Sequence, residues 1–123
     1  MQLEALKHLY DMRQACGLLA EFVAGKAFDD YSTDALLRSA VERQLTIVGE
    51  ALNRLKKIDP TVASSITDAR QIIAFRNILV HGYDVVKHEV VWGVLETDLS
   101  PLIRDVDALL EQGEAEQASG GAS

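Results

Sequence analysis

The sequence predicts an all-α protein, an antiparallel bundle of four long helices with a short extra helix or turn, working as a homodimer. Three observations carry that expectation. Apolar residues recur at alternating spacings of three and four along most of the chain, the period of helices with one buried stripe. Gly25, Asp59-Pro60 and Gly82 punctuate this pattern where helices would stop or restart. The β-branched pairs Val85-Val86 and Val90-Val91 are too short for strands and flank helical patterns. Four amphipathic helices in so short a chain leave a face uncovered, which is the reason for expecting a second copy.

The first helix is expected over residues 2–24, with Leu9, Met12, Cys16, Leu19 and Val23 on its buried stripe and Gly25 as its stop. A loop follows. Ser32 or Thr33 is then placed to cap a second helix with Asp34 in its first turn. Leu37, Val41, Val48, Ala51 and Leu55 continue the spacing there, and Gln44 interrupts it as a polar layer. A second face of the same helix carries Arg43, Ile47, Glu50 and Arg54. That stripe reads either as charge pairing on a solvated surface or as a means for Glu50 or Arg43 to orient an arginine elsewhere.

Pro60 can open a short turn, and Thr67 or Asp68 can cap a third helix ending near Gly82. The last helix is expected over residues 88–111, with Trp92, Leu95, Leu99, Leu102, Val106 and Leu109 in phase. Pro101 should kink it without ending it. Residues 1–111 would form the domain. Residues 112–123, rich in Glu, Gln, Gly and Ser, read as a disordered tail.

At 123 residues and 48% hydrophobic content, the chain has the size of one domain with one core. Its only cysteine is Cys16, so no intramolecular disulfide can form, in keeping with a reducing compartment. No signal-like start is present, and no apolar run approaches the ~20 residues a membrane span needs. A soluble, cytoplasmic protein is expected. The net charge of -7 is unevenly spread: eleven basic and eleven acidic residues lie through His88, whereas Arg104 alone faces eight acidic residues from Glu89 onward. A neutral body bearing Arg54, Lys56, Lys57, Arg70 and Arg76 can form a local phosphate site. The overall charge disfavours broad binding to duplex nucleic acid.

The chemistry concentrates in Arg76-Asn77-Ile78-Leu79-Val80-His81-Gly82-Tyr83. Arg76 and Tyr83 fall nearly in line on a helix, while Asn77 and His81 share the neighbouring stripe, leaving Ile72, Phe75, Ile78 and Leu79 for burial. Arg76 and His81 lie about 140° apart on an ideal helix. Either the helix end bends, with Gly82 as a left-handed stop, or a second subunit completes the site. A histidine in the last turn meets the helix's negative end and suits proton transfer near neutral pH. Arginine stays charged and its fork matches phosphate oxygens. Cleavage of RNA requires little more, because the 2′-hydroxyl is an internal nucleophile. The three histidines have no metal-site spacing and no phosphate-cradling glycine loop exists, so neither a metal nor another cofactor is expected.

This stretch resembles the Arg-x4-His-x-Tyr signature of the HepT branch of the HEPN superfamily. The segment from Glu42 to Ala51 is similar to that family's second helix, and Val91 to Leu99 to the start of its last. The resemblance implies a dimeric, helical, metal-independent endoribonuclease cleaving tRNA or mRNA, the toxin of a type VII-like toxin–antitoxin pair. Arg76 and His81 would be catalytic and Asn77 supporting. Tyr83 would accept AMP from an MntA-like nucleotidyltransferase antitoxin, blocking the site with charge and bulk. The alternative from a different class is a non-catalytic module that binds a nucleotide or that nucleotidyltransferase through the same pocket.

Overall fold

The computed structural model describes residues 1–82, 84 and 86–122, residues 121 and 122 as backbone only. Among them every regular element is helical: α1 (Leu3–Val23), α2 (Phe28–Thr33), α3 (Ala35–Ile58), α4 (Pro60–Ser64), α5 (Ala69–His81) and α6 (His88–Ala122). The stripe expected on α1 is its buried face: Leu9, Met12, Cys16 and Leu19 are closed to solvent. It meets Val41, Val48, Leu52 and Leu55 of α3 and Leu102, Val106 and Leu109 of α6 in one core. None of the described helices is long and apolar enough to cross a membrane.

The joints differ in detail from the sequence-based expectation. The cap of α3 is Asp34, whose Oδ1 accepts from the backbone N–H groups of Leu36 at 3.1 Å and Leu37 at 3.2 Å. Ser32 and Thr33 belong instead to the short helix α2, where both hydroxyls donate to the Asp29 carbonyl. The Asp34 carboxylate also sets a negative charge at the positive end of the helix, which a serine or threonine hydroxyl does not. Asp59 opens α4 by accepting from Val62 N at 3.2 Å, with Pro60 as its first residue. Asp68 precedes α5 in the left-handed conformation, φ 58°, and its side chain caps nothing. The free donor of this turn, Thr67 N–H, is met from another element, by Asp105 Oδ2 of α6 at 2.8 Å.

Helix α6 passes through Pro101 and does not stop at Glu111. Residues 112–122, expected to be a disordered tail, continue the helix along the start of α1. Gln117 Nε2 donates to the Met1 carbonyl at 2.7 Å, and Tyr10 donates its hydroxyl to Glu114. Gly113 lies so close to α1 that a Cβ there would stand 2.5 Å from Leu6 Cδ2. Composition argued for disorder because the segment lacks large apolar groups; docking on a neighbouring helix supplies contacts that local composition does not reveal. The pairings Gln117 with Met1 and Arg13 with Asp107 run in opposite directions along the two chains, so α1 and α6 are antiparallel.

Helix α5 packs on α3, also antiparallel: Gly49 faces Arg76, and Lys56 lies with Ala69 and Arg70. Of the four residues expected to be buried on α5, only Leu79 is; Ile72 and Phe75 are half-buried and Ile78 is 48% exposed. The reason is a gap between α5 and α6. Leu45 and Val48 line this groove with Phe75, Ile78, Val94 and Leu99, enclosing about 290 Å³.

The α3–α5 contact is sterically tight. A Cβ on residue 49 would stand 2.2 Å from Arg76 Cβ, a position too near the backbone to move by a side-chain rotation. Gly49→Ala is therefore expected to lower stability by about 1–3 kcal/mol, despite alanine's better helix propensity, as read by urea unfolding. A variant as stable as the wild type would mean that the helices stand farther apart.

Candidate functional site

Arg76 leaves the middle of α5 with its aliphatic stem against the backbone of α3 at Gly49. Its tip reaches the next residue of α3: Nη2 donates to Glu50 Oε1 at 3.1 Å. Nη1 donates to Asn77 Oδ1 at 2.9 Å. The remaining nitrogen, Nε, is buried and has no hydrogen-bond partner among the described residues. The Arg76 and Glu50 side chains are 24% and 34% exposed, so the pair is neither sealed in the core nor free in solvent. Of the two α3 residues considered as partners for Arg76, Glu50 is the one in contact. Arg43 is exposed, seven residues earlier, about 10 Å back along the helix.

His81 is the last residue of α5 and is exposed. The helix stays hydrogen-bonded to its end, where Gly82 N–H donates to the Ile78 carbonyl at 2.7 Å. Gly82 has φ -135° and ψ 32°, so the expected left-handed stop is not used. Arg76 and His81 thus remain on one helix with their ideal angular separation of about 140°, and Asn77 joins Arg76. Tyr83, the expected acceptor of AMP, lies outside the described residues. Among the described residues no group of three or more His, Cys, Asp or Glu side chains could hold a metal ion.

A family model described as "Ribonuclease HepT-like" matches residues 12–109, which include both helices of this site. The chain belongs to the HepT-like ribonuclease family. It is 30% identical over 105 residues to "Putative RNase TTE0752" of Caldanaerobacter subterraneus subsp. tengcongensis, covering 85% of this chain and 93% of that protein. "Probable ribonuclease HepT" of Thermococcus cleftensis is 30% identical over 99 residues, covering 77% of this chain and 86% of that protein. "Putative RNase MJ1380" of Methanocaldococcus jannaschii is 25% identical over 103 residues, with 80% and 90% covered. No solved structure matches the chain.

Gly49 is the residue of this HepT-like site that pattern reading passed over. Its signal was available, since glycine inside a helix costs about 1 kcal/mol against alanine and calls for a packing reason. Elsewhere in the HepT-like fold burial suppresses reactivity. It pushes the Cys16 thiol up to about 12, which removes the thiolate a nucleophile would need. Burial likewise raises the Tyr31 hydroxyl to about 12, with Glu42 adding to the effect.

Asp98 of α6, at the polar edge of the groove beside α5, is held above the ordinary carboxylate range, first by burial and then by the neighbouring Asp68 carboxylate. Asp105 is shifted the other way, chiefly by the Thr67 N–H. The sign for Asp98 follows from linkage. The folded carboxyl keeps its proton more tightly than an unfolded aspartate, with its value of about 3.9, so ionisation works against the fold. That cost is absent below the unfolded value and complete above the folded one. Asp98→Asn should therefore be more stable than the wild type at pH 7, with the advantage vanishing as pH falls below the carboxylate range. Thermal unfolding across pH 3–7 measures this, and a variant less stable at pH 7 would give Asp98 an attractive partner instead.

Proposed function

We propose that this chain is the toxin of a type VII-like toxin–antitoxin pair, a metal-independent endoribonuclease that works as a homodimer of HEPN-like four-helix bundles. The observation that carries the reading is Arg76, on the helix that ends at His81, whose guanidinium is held at two points, by Glu50 of α3 and by Asn77. Membership of the HepT-like family supports it. So do the ribonuclease names of the relatives.

In this reading an RNA phosphodiester lies across Arg76, with its non-bridging oxygens on the Nη nitrogens. Charge growing on those oxygens in the transition state is met by a cation already in place. One His81 imidazole takes the proton of the 2′-hydroxyl as its oxygen attacks phosphorus. The P–O5′ bond breaks, and a protonated imidazole delivers a proton to the departing oxygen. The products are a 2′,3′-cyclic phosphate and a free 5′-hydroxyl. Each chain contributes a single His81 at this site, so the dimer supplies base and acid from two copies. It also answers the angular separation of Arg76 and His81, which α5, helical through His81, leaves in place.

Asn77 supports Arg76 from the same helix. Tyr83 is the point of control, where an MntA-like nucleotidyltransferase transfers AMP to the hydroxyl and blocks the site with negative charge and bulk. The protein acts in the cytoplasm on tRNA or mRNA.

The decisive assay is cleavage of cellular RNA by purified protein free of Tyr83 modification, in excess chelator. Wild type should leave cyclic phosphate ends, and His81→Ala, still folded, should lower the rate by about 10²- to 10⁴-fold. Undiminished scission by His81→Ala would remove His81 from the mechanism. Tight ATP binding with no scission would assign the site to a nucleotide-binding module.

A further inference from the structure

We infer that Gly49 and Glu50 form a positioning element for Arg76, with Gly49 pinning its stem and Glu50 aiming its tip. This inference rests on the proposed ribonuclease reading for its catalytic consequence, but its geometry stands apart from it. A half-exposed arginine ordinarily samples many rotamers, with about 2 kcal/mol of side-chain entropy to lose. Here the first two carbons of the stem are laid on a glycine: residue 49 has no room for a Cβ, which would stand 2.2 Å from Arg76 Cβ and 2.6 Å from Cγ. The stem is therefore directed before any substrate arrives. The adjacent residue then takes the tip, with Glu50 Oε1 on Nη2 at 3.1 Å.

The pattern of used and unused donors decides what Glu50 does. A guanidinium carries five N–H groups, and a carboxylate that simply neutralised it would take two in parallel from one edge. Glu50 takes Nη2 alone. Nε, on the same edge, is buried without a partner among the described residues, so no ligand reaches it either. With Nη1 engaged by Asn77, one hydrogen on each terminal nitrogen remains for a pair of phosphate oxygens. Glu50 thus fixes which end of the fork faces substrate and leaves that end free. A positioned cation saves reorganisation in the transition state, so the effect of Glu50 belongs in kcat more than in KM. If Glu50 instead acted as an internal anion competing with the phosphate, its removal would lower KM and leave kcat unchanged or higher.

The test compares Glu50→Ala, Glu50→Gln and Arg76→Lys in the full-length protein. Glu50→Ala should lower kcat about ten- to a hundredfold, the scale of a misplaced catalytic group, with KM within about threefold and an unchanged melting temperature. Glu50→Gln keeps an oxygen acceptor at the same reach and should recover most of kcat; a role in charge balance alone would leave Gln as poor as Ala. A second readout needs no activity. The Arg76 Nε–H signal in ¹H–¹⁵N NMR spectra, assigned by its loss in Arg76→Lys, should exchange slowly with solvent in wild type and Glu50→Gln and rapidly in Glu50→Ala.

A fast-exchanging Nε–H in wild type would overturn the inference whatever the enzyme does. So would a Glu50→Ala protein with full kcat beside an inactive Arg76→Lys. Full cleavage by Arg76→Lys would strike at the ribonuclease reading of Arg76 itself, while the exchange data would still report whether Gly49 and Glu50 hold the side chain.

Discussion

The contact on which the site depends is the approach of α5 to α3 at Gly49. Two helices usually pack with their axes 8–10 Å apart, as their contacting side chains allow, and a missing side chain lets the backbone of one serve as a floor for the other. At Gly49 the object on that floor is an arginine stem, where an apolar knob would be usual. The helix-propensity cost of glycine, about 1 kcal/mol, is offset by packing that only this residue permits. Because Glu50 follows immediately, the register that seats the stem also delivers a carboxylate to the guanidinium. Stem and tip are thus governed by one register.

Much of the fold was legible in the sequence because helical periodicity reports burial wherever a helix has a neighbour along its whole length. Leu9, Met12, Cys16 and Leu19 of α1, and Val41, Val48, Ala51 and Leu55 of α3, meet that condition and lie in the core as their spacing predicts. Helix α5 does not meet it. Its apolar residues have the right spacing, but they face a groove beside α6, and Ile78 stays half in solvent. Periodicity states that a stripe exists without stating what covers it. The same limit applies to the residues after Glu111, where local composition gives no hint of the α1 surface waiting for them, and to Thr67, whose cap comes from Asp105 on a distant helix.

The candidate site divides along the same line. Arg76, Asn77 and His81 were readable because they are local in sequence and unusual among apolar neighbours. Their connection to α3 is a property of register between helices. From the sequence, Glu50 and Arg43 were equal candidates on one stripe; the antiparallel pairing that sets Gly49 opposite Arg76 selects Glu50 and leaves Arg43 out of reach. The position of Gly82 just past a last turn predicts a left-handed stop, whereas its backbone closes the helix with an ordinary bond to Ile78. Glycine permits the left-handed conformation without requiring it.

The partial burial of α5 bears on why such a helix would carry a site shared between two copies. Fully burying an isoleucine or valine is worth about 1.5–3 kcal/mol, and α5 leaves Ile78 and Val80 substantially exposed while ordering its whole length. Within one chain, then, the helix bearing Arg76 and His81 is held mainly by α3. In the proposed dimer a second copy covering these residues would add burial to the helix that most lacks it, and would bring a second His81 toward an Arg76 already oriented by its own chain. Assembly and chemistry would then be linked through the same helix: intrachain contacts hold the arginine, and the proposed second subunit would add a second His81 to the one each chain already carries.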